Sequence, residues 1–212
     1  MIIKVILSFI LVCSTINAAT PIIGSVKKVK GKASALFIGQ RDAQKVIKGM
    51  KIRKDTSILT GRRSFVQISF LDNSKISIGS NSKMVVDKVE TTKAGFVTLL
   101  KGQVRSKVNK KKDKNEKLII RTRTAALGVR GTDFRASFNP ESEITNLITF
   151  SGNVALKKLK KDKKSHTNKE LVKELKSKDV VEVKQGKFSS VSDNLLKATT
   201  PVKISPVQYT RI

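Results

Sequence analysis

Apolar and polar positions alternate along most of this chain, with turn residues between the runs. Phe65-Val-Gln-Ile-Ser-Phe70 puts Val66, Ile68 and Phe70 in one phase and Phe65 in the other, the two-residue period of a half-buried strand. Asp72-Asn73 then signals a turn and Ile76-Ser-Ile78 returns, which predicts a hairpin. Shorter runs at 22–29, 33–38, 50–52, 58–59, 84–86, 96–100, 118–120, 144–150, 154–156 and 180–183 read as further strands. One segment breaks the period. Leu171, Val172 and Leu175 take helical spacing behind Thr167-Asn-Lys-Glu170, a capping box, so a short surface helix is expected around 167–177.

The pattern predicts an all-β fold: twisted antiparallel strands forming a sandwich or a β-roll or helix-like domain. A weak repeat supports strands that turn over one another. Val29-Lys-Gly31, Leu100-Lys-Gly102, Phe150-Ser-Gly152 and Lys184-Gln-Gly186 each lie between strand-like flanks, at uneven spacing. Glycine between strands marks a bulge or a close backbone approach, so Gly31, Gly102, Gly152 and Gly186 are expected to be corners. The stretch Gly128-Val-Arg-Gly-Thr-Asp-Phe134 places two more glycines inside a kinked strand pair, with Arg130, Thr132 and Asp133 turned inward. Arg130 would then donate across the corner to backbone carbonyls or to Asp133; the alternative is a clamp for a ligand carboxylate or phosphate.

Charge changes the picture. Among 212 residues, 44 Lys and Arg stand against 16 Asp and Glu, a formal net charge of +28. The excess gathers in polar runs at 107–117 and 157–178, both read as exposed loops. Lys110, Lys111, Lys112, Lys114, Lys157, Lys158, Lys160, Lys161, Lys163 and Lys164 are the candidate polyanion-binding residues.

The first 19 residues point to export. Lys4 precedes an apolar run from Val5 to Val12, and small residues follow up to Ala18 and Ala19, the layout of a secretory signal peptide. Cys13 raises lipidation as an alternative, although Val12 before it is bulkier than the usual Gly, Ala or Ser. Removing residues 1–19 removes the only Cys, so the remaining chain is held by packing and not by disulfides. The expected organisation is a signal peptide at 1–19, an all-β domain at 20–188 and an irregular tail at 189–212, where Pro201 and Pro206 disfavour strands.

These residues resemble a family. Leu59-Thr-Gly61, then Leu71-Asp-Asn-Ser-Lys-Ile-Ser-Ile-Gly-Ser-Asn-Ser82, is similar to the opening of FecR domains. Leu100-Lys-Gly-Gln-Val104 resembles that family's middle corner, and the stretch from Arg121 to Phe134 its most recognisable motif, with Arg123 where the family has Pro. Thr149-Phe-Ser-Gly-Asn-Val154 is similar to the strand that follows. The resemblance spans about 55–156. It implies an extracytoplasmic all-β module. The best-known members relay signals from outer-membrane iron-siderophore receptors to a cytoplasmic sigma factor, and they carry a cytoplasmic segment and a transmembrane helix first. Here a signal peptide stands in that place, so the module is expected to carry over without the anti-sigma segment.

Catalysis is not expected. His166 is the only histidine and lies in a Lys-rich run, and the acids are scattered, so neither a metal site nor a nucleophile–base pair assembles; no cofactor is called for. The expected function is an exported binding or scaffold module in the cell envelope, contacting a protein or an anionic polymer or surface. The alternatives are a soluble periplasmic regulator and an electrostatic nucleic-acid binder. The last is disfavoured by 5% aromatic content with no Trp, too little for a stacking platform.

Overall fold

The computed structural model describes residues 20–88, 95–108, 118–160 and 167–205. Among the described residues, seventeen strands form one continuous hydrogen-bonded system that does not close into a barrel. A single long strand, β9 (Gly95–Lys107), folds it into two sheets. Through Gly102, Gln103 and the residues up to Lys107, β9 belongs to sheet I; through Phe96 to Lys101 it belongs to sheet II.

Sheet I runs, in spatial order, β4 (Lys51–Arg53), β1 (Ile22–Lys30), β6 (Phe65–Phe70), β7 (Lys75–Ile78), β9, β12 (Asp133–Asn139), β13 (Ile144–Ser151), β16 (Lys187–Val191) and β17 (Val202–Lys203). Sheet II runs β3 (Gln44–Lys45), β2 (Ala33–Leu36), β5 (Thr56–Thr60), β8 (Lys83–Lys88), β9, β10 (Leu118–Arg121), β11 (Ala125–Val129), β14 (Asn153–Lys158) and β15 (Val181–Lys184). Every described pairing is antiparallel except β9 with β10. In both sheets the strands before β9 in the chain lie on one side of it and the strands after it on the other.

The period-two pattern explains the packing. Inward residues of sheet I, such as Val26, Ile68, Ile78, Val104, Phe134 and Leu147, meet those of sheet II, such as Ile58, Met84, Leu99, Ile120, Leu127 and Leu156, in one core. The four expected corners are where the chain passes between sheets. Gly31 links β1 to β2, Gly102 lies within β9, Gly152 links β13 to β14 and Gly186 links β15 to β16. All four have positive φ, from 71° to 86°. Alanine at Gly152 would place its Cβ 2.7 Å from Thr132 Cγ2 and 2.9 Å from the Gly131 carbonyl oxygen, so this corner tolerates no side chain.

The helix falls where the sequence places it. α1 (Asn168–Glu174) opens with Thr167 as its cap: Glu170 N donates to Thr167 Oγ1 at 3.3 Å and Thr167 N donates to Glu170 Oε2 at 2.8 Å. Leu171 and Leu175 are buried against Phe96, Ile119 and Ala126 on the outer face of sheet II. That second contact explains why β10 and β11 are buried on both faces. Thr167→Ala removes the hydroxyl that accepts from Glu170 N while leaving the Thr167 backbone donor in place, and is expected to cost about 1 kcal/mol, read as a lower midpoint in urea.

One boundary is corrected. The tail expected to be irregular from 189 begins inside β16, since Ser189 and Val191 pair with Leu147 and Thr145 of β13. Ser189 is fully buried, and its hydroxyl donates to the Thr199 carbonyl at 2.7 Å, while Ser190 N donates to Thr199 Oγ1 at 2.9 Å. Polar residues that read as loop are satisfied by the returning chain, which also forms β17 after Pro201.

Candidate functional site

The motif Gly128 to Phe134 crosses from β11 in sheet II to β12 in sheet I, with Gly131 at φ 61°. Strand alternation then separates residues that were expected to point inward together. Thr132 and Phe134 face the core, whereas Asp133 is on the outer face of sheet I. The expected Arg130–Asp133 pair does not form. Arg130 Nε is buried with no protein partner, as is Thr132 Oγ1. Asp133 instead accepts from Arg105 on the neighbouring β9, Nε to Oδ1 at 3.0 Å and a second guanidinium nitrogen to Oδ2 at 3.1 Å.

Arg105 belongs to a continuous row. Cross-strand register places Gln67, Ser77, Arg105, Arg135, Ile148 and Phe188 side by side on β6, β7, β9, β12, β13 and β16. Residues directly opposite on one face are in contact range, so this is a single surface. The Arg105 guanidinium lies over the Phe150 ring, 4.4 Å from its centroid, while held from the side by Asp133. Arg135 donates to Gln103 Oε1. Gly79 makes room for this: a Cβ there would fall 2.6 Å from Gln103 Cγ, so the glycine lets the Gln103 side chain lie across the sheet.

Two arginines directly opposite repel each other. Burial first, and the Arg105 guanidinium second, hold Arg135 below the ordinary arginine range. Asp133 pairs with Arg105, and Gln103 accepts from Arg135. Sequence reading did not find this surface. The outward phase of Gln103, Arg105 and Lys107 was visible, but the partner strand that brings Asp133 and Arg135 beside them was not.

Comparison with known proteins follows the same elements. The family described as FecR protein matches residues 56–155, from the start of β5 into β14. Residues 56–155 form a FecR domain. No curated protein sequence matches this one. Two crystal structures of a candidate anti-sigma factor from Parabacteroides distasonis share the fold, with TM-scores of 0.54 and 0.52 at 16% identity. Each similarity covers 73% of this chain and 62% of the other, so this chain spans under two thirds of those proteins.

In the FecR domain and its flanks, the expected polyanion residues have divergent surroundings. Lys157 is nearly buried and reaches Asp179 at 3.1 Å and Glu174 at 3.7 Å, which ties β14 to the end of α1. Lys158 donates to the carbonyls of Asp193 and Leu195 and so anchors the tail. These two are structural, because their strand positions bring them beside acceptors; Lys160 is exposed. Lys110, Lys111, Lys112, Lys114, Lys161, Lys163, Lys164 and His166 lie outside the described residues. Among the described residues no group of three or more His, Cys, Asp or Glu could hold a metal ion, and no helix is long and apolar enough to cross a membrane.

One FecR-domain carboxylate is perturbed. Burial raises the pKa of Asp87 above the usual carboxylate range, opposed by the Thr98 hydroxyl at 2.7 Å and by the Arg121 guanidinium. A raised folded pKa means the folded state binds the proton more readily than the unfolded chain. Stability attributable to Asp87 is therefore lost as pH rises through the interval between the two pKa values. Asp87→Asn is expected to be neutral in acid and stabilising by less than about 1 kcal/mol at pH 7. Urea midpoints of both proteins across pH 3–7 check the sign, and an advantage for the variant that shrinks as pH rises refutes it.

Proposed function

We propose that this chain is a non-catalytic, exported binding module whose FecR domain docks a protein partner on the outer face of sheet I. The observation that carries the reading is the row from Gln67 to Phe188, centred on Arg105 and Arg135. Arginine and aromatic side chains dominate the energetic centres of protein interfaces, and rigid ones cost least to order. Arg105 is already fixed by Asp133 and Phe150, and guanidinium groups set in a rigid row suit planar, bidentate recognition of a carboxylate on the partner. Residues 1–19, with their signal-peptide layout, support action outside the cytoplasm.

A regulatory role in cell-surface signalling is a second reading. It is supported by the FecR domain and by the shared fold with the candidate anti-sigma factor. Under either reading the Lys-rich runs add attraction for anionic envelope polymers that weakens as salt rises.

The test is capture from envelope extract on immobilised protein, washed at low and then at high salt. One protein is expected to survive the high-salt wash on the parent chain and to be lost from Arg105→Ala/Arg135→Ala. Complete elution at moderate salt, with no difference between the two proteins, would leave only polyanion attachment and refute docking on sheet I. Folding is monitored alongside. Arg105→Ala is expected to cost about 1 kcal/mol in stability, because the ion pair is solvent-exposed and the ring contact modest.

A further inference from the structure

Among the described residues, the outer face of sheet II is only half covered. α1 packs over Phe96, Ile119 and Ala126 on the β9–β10–β11 side. On the other side, β2, β5, β8 and the adjoining part of β9 carry Leu36, Leu59 and Leu100 at 37%, 42% and 41% exposure. Leucines this accessible on one continuous face form a patch and are not scattered singletons. Register places Lys45, Ser34, Leu59, Lys83 and Lys101 in one row across β3, β2, β5, β8 and β9. A shallow concavity of about 730 Å³ lies along it, lined by Lys32, Lys45 and Lys101 with Leu59, and by no described carboxylate.

We propose that this open half of sheet II is a docking surface for an anionic lipid membrane. The chemistry of the rim favours lipid over an acidic protein segment. Lysines supply compact charges on flexible apolar stems, which reach headgroup phosphates while their methylenes lie against acyl chains. A protein-binding centre would present arginine or aromatic anchors, and none lines this concavity. The leucines project between the lysines, where an interfacial surface inserts apolar side chains just below the headgroups. Each lysine close to an anionic leaflet is worth about fivefold in partition. The surface is on the opposite sheet from the proposed protein site and does not depend on it.

Vesicle sedimentation of the full chain tests the proposal, with phosphatidylglycerol–phosphatidylcholine vesicles against pure phosphatidylcholine. The variant Lys32→Gln/Lys45→Gln/Lys83→Gln/Lys101→Gln is expected to lose at least tenfold in partition to the anionic vesicles. A control of equal charge change, Lys169→Gln/Lys176→Gln/Lys178→Gln/Lys184→Gln, is expected to lose less than threefold; all four of these lysines are exposed elsewhere. Leu59→Ser/Leu100→Ser leaves the charge unchanged and is expected to lose at least threefold. Residues 1–19 are common to all four proteins, so their contribution cancels. Equal losses in the two lysine variants would show that total charge alone drives binding and overturn the proposal. So would an unaffected leucine variant. Retention on soluble poly-glutamate that depends on the same lysines, without vesicle binding, would assign the surface to an acidic protein segment instead.

Discussion

Gly102→Ala is expected to lower stability by about 3–5 kcal/mol, the sum of left-handed backbone strain and overpacking. Gly102 has φ 86°, and an added Cβ would fall 2.2 Å from Ser82 Oγ and 2.6 Å from Ser82 Cα. The clash is with backbone as well as with a hydroxyl, so side-chain rotation cannot relieve it. Ser82 is fully buried, and its hydroxyl accepts from Gln103 N at 2.9 Å, which fixes the point where β9 leaves one sheet for the other. For a chain of this size the loss corresponds to a fall of roughly 6–20 °C in the thermal midpoint. Ser82→Gly in the same background is expected to recover only part of it, since the strained φ remains. A midpoint within 2 °C of the parent would mean that the crossing can be made without a left-handed residue.

Phe134→Ala is expected to cost about 3–5 kcal/mol, the usual range for emptying an aromatic core position. Phe134 is among the largest fully buried side chains and follows the Gly131 corner, where the two sheets converge. Phe150→Ala provides the contrast. It removes the same side chain from the outer face, where Phe150 is only partly buried and packs under Arg105, and is expected to cost no more than about 1.5 kcal/mol. Denaturant midpoints at constant slope measure both, and equal losses would contradict the assigned faces.

Sequence patterning revealed what is local. The alternation in Phe65–Phe70, the Asp72-Asn73 turn and the Thr167–Glu170 box each depend on neighbours a few residues away, and the structure has all three. Glycine corners were legible for a related reason, since only a residue without Cβ adopts their φ cheaply. Pairing between distant strands was not legible. Arg105 and Asp133 are 28 residues apart, and alternation says that both face outward without saying that β9 adjoins β12. Lys157 and Lys158 misled for the same reason, because a lysine run looks solvated until Asp179 and the tail carbonyls are brought beside it.

The central position of β9 has a consequence for how such a molecule can vary. A barrel must satisfy strand number, tilt and stagger together, so gaining a strand alters every other one. Here each crossing is laid against its predecessor, outward from a common spine, and nothing must meet at the far edges. Breadth is then a free parameter. A further arch could be added beyond β3 and β4, or one removed near β15 and β17, while the spine kept its neighbours. The FecR domain at 56–155 occupies the middle of this laminate, with added layers on both flanks.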